Sequence, residues 1–411
     1  MHDLPADAPE ALARWLASPE SDAAQSAATT AIATVDLVAA GTHLRRARPE
    51  LSPTQASAAL EQADLRQVAS ARYGIDASRL LLTRGGLEQG TRPEVASHRA
   101  ALLRAAGATR VLDLTAGLGF DTSAFVAAGL EVTAVERDPV TARFLAHNCP
   151  GARIVHGDGM AVARELLKGL DESDVIFVDP ARRDPAAPRD ANLRARPERD
   201  PARWSPPWSV IAELPHPRIA AKVAPSFSAD GWHAEWVSVQ RTVVECALYS
   251  WSVFADLRRA AIWTGSGMRI LGSDDGARVR IAPRVGSWLH EPDPAIVRAG
   301  VVASLANSYE GLETVGESST WLTSAGAIDD PVLRSYPVLA ELVGSARDQR
   351  RLLDSLGIDS LTVKSRDVDV SPSTVLRELG RREGARHVIV TTRRGGRVVR
   401  FACGPARRQS A

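Results

Sequence analysis

From the start of the chain to about residue 105, alanine and leucine recur at three- and four-residue spacing. The stretches EALARWLA, AIATVDLVAAGTHLRRA and PTQASAALEQADLRQVASARYG have the period of helices with one apolar face. In GTRPEVASHRAALLRAAG, Thr91 is placed to cap a helix running from Pro93 to about Ala106, with Glu94 completing a capping box and Gly107 as the stop. At Arg110 the pattern changes. Short apolar runs rich in β-branched residues (RVLDLT, EVTAVE, ARIVHG, SDVIFVD) alternate with helical segments (DTSAFVAAG, PVTARFLAHN, MAVARELLKGL), which predicts a parallel sheet covered on both faces. A stretch broken by proline and arginine follows, and RIAAKVAP, AEWVSVQ and VVECALYSW read as later strands. EPDPAIVRAGVVASLAN reads as a helix entered through prolines. Near the end come a strand (DSLTVKSRDV), a helix (SPSTVLRELGRRE) and a hairpin turning at Arg394-Gly395-Gly396. The expected divisions are a helical region over 1–105, a doubly wound α/β domain over 106–280, a connecting region over 281–344 and a small α/β domain over 345–411.

A chain of 411 residues is too long for one ordinary core. Hydrophobic content of 45% and charged content of 24% are those of a globular protein, and a formal net charge of +1 selects no partner. The charge is unevenly spread: from Ser345 onward there are 15 Arg and Lys against 7 Asp and Glu, a difference of +8. Lysine occurs only at Lys168, Lys222 and Lys364, the rest of the cationic residues being arginine. Cys149, Cys246 and Cys403 have no metal-ligand spacing, so no metal is expected, and their odd number suits a reducing compartment. The first residues do not read as a secretory signal and no run of about 18 apolar residues occurs, so a cytosolic protein without a membrane partner is expected.

The chemistry concentrates at the ends of the four predicted strands. VLDLTAGLGFDT ends a strand on Asp113 and turns through Gly117 and Gly119, where backbone without a Cβ lets a ligand come close. Glu136 closes the second strand, 23 residues after Asp113, where a carboxylate accepts from ribose hydroxyls. Asp158 ends the third, where it can accept from an adenine amino group, and Asp179-Pro180 follows the fourth. A dinucleotide enzyme shares the first two features. However, Thr122 stands where the third fingerprint glycine belongs, and Asp113 suits an α-ammonium better than a pyrophosphate. A ligand with ribose, adenine and an amino-acid tail fits better: S-adenosylmethionine.

DLTAGLGFDT, VERDP, GDGM and VDPARR, spanning Arg110 to about Asp184, resemble motifs I to IV of the class I S-adenosylmethionine-dependent methyltransferases. The stretch DLTAGLGFDTSAFVAAGLEVTAVERDPV is also similar to the ribosomal RNA small subunit methyltransferase J group and to the trimethylguanosine synthase core, both of which act on a guanine exocyclic amine. LTRGGLEQGTRPEVASHRA, EPDPAIVRAG and LTVKSRDVDVSPSTVLRELG resemble the bacterial methyltransferases with a C-terminal THUMP-like domain. The resemblance implies a doubly wound Rossmann-like α/β sheet and an enzyme that methylates an exocyclic base amine of structured RNA (tRNA or rRNA). It assigns Asp113, Thr115, Gly117, Gly119, Glu136, Arg137, Asp158 and Gly159 to the cofactor. Asp179, Pro180 and Arg182 fall to the reaction, and Arg183, Gln89, Thr91, Arg366 and Arg393 to the substrate. Ala181 and Arg182 stand where amine methyltransferases carry proline and an aromatic, so Arg182 or Arg183 would stack on the base or hold a phosphate. That departure also leaves room for an RNA-binding protein that has lost activity, or for an enzyme acting on a small molecule or protein. Three features have plainer readings: SPPW (Ser205 to Trp208) as a loop leading into a helix, His98 and Arg99 as a solvated helix face, and Lys222 as a strand-end salt bridge. Arg381 and Arg394 join Arg366 and Arg393 as candidates for RNA phosphates.

Overall fold

The computed structural model describes residues 8–34, 36–182, 198–273 and 280–407, and the chain forms two compact units. The first comprises Met1–Val223 with Tyr249–Val253, and the second Ala224–Leu248 with Phe254–Ala411.

The first unit begins with helices α1 (Pro9–Leu16), α2 (Asp22–Thr34), α3 (Leu37–Ala47), α4 (Pro53–Tyr73), α5 (Arg84–Gln89) and α6 (Pro93–Ala105). Alanines Ala24, Ala28, Ala40, Ala56, Ala59 and Ala63 form one close-packed helical core. A second core joins Leu16, Leu65, Leu81 and Leu82 to Leu118 and Phe144 of the following α/β region, so the N-terminal helices share their interior with it. Buried Gln62 fixes the segment after α4, accepting from Leu82 N and donating to Leu82 O, both at 2.8 Å.

Then come β1 (Arg110–Asp113), α7 (Phe120–Ala127), β2 (Glu131–Glu136), α8 (Pro139–Asn148), β3 (Arg153–His156), α9 (Gly159–Leu166), β4 (Val175–Val178), α10 (Trp208–Ala212) and β5 (Ile219–Val223). The strands lie in the order β3-β2-β1-β4-β5, all parallel. All four residues of β4 are buried, as a central strand covered on both faces requires. Order reverses beside β1: the chain first builds outward through β2 and β3, then returns to lay β4 on the other side. Ligands of open α/β sheets lie at the carboxyl ends of strands at such a reversal.

The second unit holds β6 (His233–Val239), β7 (Thr242–Tyr249), β8 (Arg258–Thr264) and β9 (Gly267–Gly272), sheeted in the order β7-β6-β8-β9. It continues with β10 (Trp288–Pro292), α11 (Pro294–Ala299), α12 (Val302–Asn307), β11 (Glu313–Thr314), β12 (Leu322–Ser324), β13 (Leu333–Glu341), α13 (Ala346–Ser355), β14 (Ser360–Ser365), α14 (Pro372–Leu379), β15 (Arg382–Arg394) and β16 (Arg397–Cys403). Strands β10 to β16 make a seven-stranded sheet in the order β11-β12-β10-β13-β16-β15-β14. Residues 281–344, expected as a connection, thus supply four of its strands, and the expected single helix from Pro294 is two short ones. The hairpin turns where expected, with Arg394 opposite Arg397. Leu353, Val375 and Leu379 cover one face of the sheet, and Trp321, Tyr336 and Phe401 fill the other. Among the described residues no helix is long and apolar enough to cross a membrane.

Candidate active site

A cavity of about 290 Å³ opens at the carboxyl ends of β1, β2, β3 and β4. It is lined by Asp113, Thr115, Gly117, Glu136, Arg137, Asp158, Gly159 and Asp179, and by Thr83, Gly86, Gln89, Gly90 and Thr91 from the segment before α6. The sequence placed an acid at each of four strand ends; the parallel sheet brings all four to one wall.

The turn after β1 is held from beneath. Asp113 is buried, accepting from Thr122 Oγ1 at 2.7 Å and from Thr115 N at 3.2 Å. Burial pushes its carboxyl up to about 7, the hydrogen bonds from Thr122 and Thr115 opposing and the charges of Asp121 and Asp179 adding to the rise. Gly119 has a φ of 89°, and a Cβ there would lie 2.4 Å from Cys149 Sγ, so the turn excludes a side chain at this point. Gly119 therefore shapes the turn without lining the cavity. Gly159 does line it, and a Cβ on Gly159 would sit 2.1 Å from Leu114 O. The start of α9 is pressed against the β1 turn and cannot accept a larger residue.

The other strand-end acids have identifiable tasks. Glu136 accepts from Gly117 N through Oε2 (3.0 Å) and from Asp138 N through Oε1 (2.8 Å), tying β2 to the turn. Asp158 caps α9 through Oδ1, accepting from Met160 N and Ala161 N at 3.0 Å. The Asp179 N–H donates to Thr115 Oγ1 at 2.6 Å, and Asp179 Oδ2 lies 2.5 Å from Lys222 Nζ.

Lys222, on β5, is indeed in a strand-end salt bridge, and its partner is Asp179. Its ammonium also donates to Thr91 Oγ1 at 2.9 Å; Thr91 donates in turn to Asp121 Oδ2 at 2.5 Å, and Asp121 pairs with Arg99. The network corrects two expectations. Thr91 does not cap α6, whose cap position is Arg92 with no side-chain cap bond, because its hydroxyl is drawn to the buried carboxylate of Asp121. Arg99 is not solvated: it is 2% exposed, with its guanidinium carbon 5.1 Å from the centre of the Phe177 ring. Asp121 and Lys222 were missed as site residues, although Asp121 lies inside the glycine-rich motif and Lys222 is one of three lysines in the chain.

SPPW both leads into α10 and closes one side of the site. Ser205 and Ala181 exchange backbone hydrogen bonds of 2.8 and 3.1 Å, and Ser205 and Pro206 line the cavity, with Arg137 donating to Ser205 Oγ at 3.2 Å. Trp204 is buried and the ring of Trp208 is not part of the lining; Phe120 and Phe177 are the aromatic residues of the wall. Pro180 is buried and Arg182 half-buried, and neither lines the cavity; Arg183 lies outside the described residues. Arg366 and Arg393 belong to the second unit. There Arg366 pairs with Glu291 at 2.9 Å and Arg393 donates to Gly396 O at 3.2 Å. Arg381 pairs with Asp354 at 2.5 Å, and Arg394 donates to the carbonyls of Val315, Ala282 and Pro283.

The profile of the THUMP domain-like family matches residues 333–405. An uncharacterized S-adenosylmethionine-dependent methyltransferase of Mycobacterium tuberculosis is 27% identical over 362 residues, covering 84% of this chain and 95% of that protein. The ribosomal RNA small subunit methyltransferase J of Rhodopseudomonas palustris is 36% identical over 104 residues, covering 21% of this chain and 45% of its own length. Among solved structures, a Porphyromonas gingivalis protein described as a methyltransferase has a TM-score of 0.63 at 18% identity, covering 87% of this chain and 92% of that one, which establishes the shared fold.

Proposed function

We propose that this class I S-adenosylmethionine-dependent methyltransferase, with its THUMP-like C-terminal segment, methylates an exocyclic amine of a base in structured RNA. The observation that carries the reading is Asp179 at the end of β4, anchored through one carboxylate oxygen, lining the same cavity as Glu136 and Asp158. The likeness over 104 residues to a ribosomal RNA methyltransferase, the THUMP-like match and the charge excess of +8 after Ser345 favour RNA over a small molecule.

The donor set fits the cofactor. Glu136 reaches the cavity with carboxylate oxygens suited to ribose hydroxyls, and Asp158 retains acceptor capacity for an adenine amino group. Thr115 and Gly117, with Asp113 beneath them, take the methionine end, and Gly159 supplies a wall that a Cβ would fill. Bound S-adenosylmethionine supplies an electrophilic methyl on a sulfonium. What the chain must add is alignment and exclusion of water. Asp179 accepts a hydrogen bond from the target amine. This turns the nitrogen lone pair outward and stabilises positive charge developing on nitrogen. Gln89 and Thr91 border the place where the base would enter.

The test is transfer of labelled methyl into tRNA and rRNA pools purified from cells lacking the protein. Label in one pool, lost with Asp179→Asn, is the expected result. No label in either pool, with cofactor binding intact, sinks the RNA assignment.

A further inference from the structure

We infer that Lys222 is the positioning residue of the transfer step: from behind the cavity wall, its ammonium fixes the Asp179 carboxylate by one oxygen so that the other meets the target amine. This rests on the reaction proposed above. Lys222 is buried and is not among the residues lining the cavity, whereas Asp179, Thr91 and Asp121 are. It therefore reaches a substrate only through its partners.

Two fixed acceptors define the ammonium's place: Asp179 Oδ2 at 2.5 Å on the end of β4, and Thr91 Oγ1 at 2.9 Å on the segment preceding α6. Thr91 is itself oriented, because its proton goes to Asp121, which Arg99 holds in turn. Asp179 and Asp121 are each paired with a cation, Lys222 and Arg99 respectively. Buried pairs of this kind add little stability beyond that of an apolar replacement of similar volume. Here both oxygens of one carboxylate are given different tasks. Oδ2 is engaged by Lys222, which leaves Oδ1 as the acceptor facing the reaction. Without the ammonium, the carboxylate is released to rotate about χ2 and the lone pair of the amine is no longer aimed.

The test compares the full-length protein with Lys222→Met, which keeps the side chain's length and removes its charge, on unmodified RNA. Positioning predicts that kcat falls at least tenfold, while KM for RNA and the affinity for S-adenosylhomocysteine stay within about threefold. Lys222→Arg, which keeps a cation within reach of Asp179, should recover part of the kcat lost in Lys222→Met, and that recovery is not expected of a merely structural role. Thr91→Val, which removes the second anchor and retains Lys222, should cost kcat severalfold, and it stands in if Lys222→Met does not fold. Unchanged kcat in Lys222→Met and Thr91→Val, or equal losses of cofactor affinity and kcat with no recovery in Lys222→Arg, overturns the role. If the unaltered protein transfers no methyl to RNA, the RNA reading falls and the role that rests on it falls too. If that protein transfers methyl and the variants do so equally well, only the role of Lys222 falls.

Discussion

Both units bury acids beside lysine and arginine, and they use them differently. In the first unit, Asp113, Asp121 and Asp179 border the cavity and are held by Thr122, Arg99 and Lys222. In the second, Glu291 on β10 takes Lys364 and Arg366 at 2.8 and 2.9 Å and the Tyr336 hydroxyl at 3.0 Å, while Arg241 donates to the Glu291 carbonyl at 3.0 Å. Burial opposes ionisation, but the charges of Lys364, Arg366 and Arg241 and the hydrogen bond from Lys364 outweigh it and hold the Glu291 carboxyl below the usual range. The difference follows from topology. A parallel sheet sends every strand end to the same edge, so acids at those ends converge around a space. The second unit's seven-stranded sheet is mainly antiparallel and has no common carboxyl edge; Glu291 instead pins β10 to β13, β14 and the turn between β6 and β7. A buried acid is evidence for a site only when the strand order gives it company and an opening.

The sharpest break of that comparison is Glu291→Ala. It strands Lys364 and Arg366 inside the second unit and should cost about 3–5 kcal/mol of stability in urea unfolding. Asp179→Asn keeps an acceptor for Lys222 and should move the unfolding midpoint far less, while lowering methyl transfer by about 10²–10³-fold. Comparable losses of stability in the two variants would erase the distinction between seam and site.

A smaller effect separates the units by pH. The Asp113 carboxyl, raised to about 7 chiefly by burial, binds its proton more tightly folded than unfolded, so its contribution to stability is full near pH 4 and is lost as pH rises through 7. Burial lowers His290 of β10 to about 4, with its ring nitrogens 2.8 Å from Ser335 Oγ and 2.7 Å from Ser324 Oγ. It binds its proton less tightly folded, so its contribution is full above about 6.5 and is lost as pH falls through 4. Between pH 4.5 and 6.5 the two slopes oppose. Asp113→Asn should leave stability rising with pH, and His290→Gln should leave it falling, each by about 2 kcal/mol across that window. Urea titrations at the two pH values check this, and equal slopes in both variants would contradict it.

What the sequence disclosed follows the same division. Local periodicity located β1 to β4 and their helices, and each strand-end acid could be read because the motif and its element are neighbours in the chain. The Lys222–Asp179 pair was legible only as a salt bridge without a partner, since the contact depends on β5 lying beside β4, and the link to Thr91 spans 131 residues. Arg99 on the face of a helix gave no sign of burial because its partner, Asp121, arrives from α7. Residues 281–344 read as a connection because β11 and β12 have two and three residues and Pro292, Pro294 and Pro337 interrupt the pattern. Strands that short are set by pairing with distant partners, not by propensity.

The smallest effect concerns the basic surface of the second unit, where the arginines that stand out in sequence differ from those that face solvent. Arg366, Arg381 and Arg394 are engaged by a carboxylate or by backbone carbonyls, and Arg393 is half-buried against Gly396. Arg382 and Arg386 on β15 and Arg397 on β16 are exposed. A guanidinium already bonded within the fold must lose that bond to grip a phosphate, whereas an exposed one exchanges only water and counterions. Replacing Arg382, Arg386 and Arg397 together by alanine should therefore weaken RNA binding about tenfold at moderate salt and flatten its salt dependence, with folding and cofactor affinity unchanged. Arg393→Ala should do less. If the ranking reverses in a filter-binding titration across salt concentrations, the RNA contact runs through the side chains bonded within the hairpin. The second unit's internal ion pairs would then serve binding as well as structure.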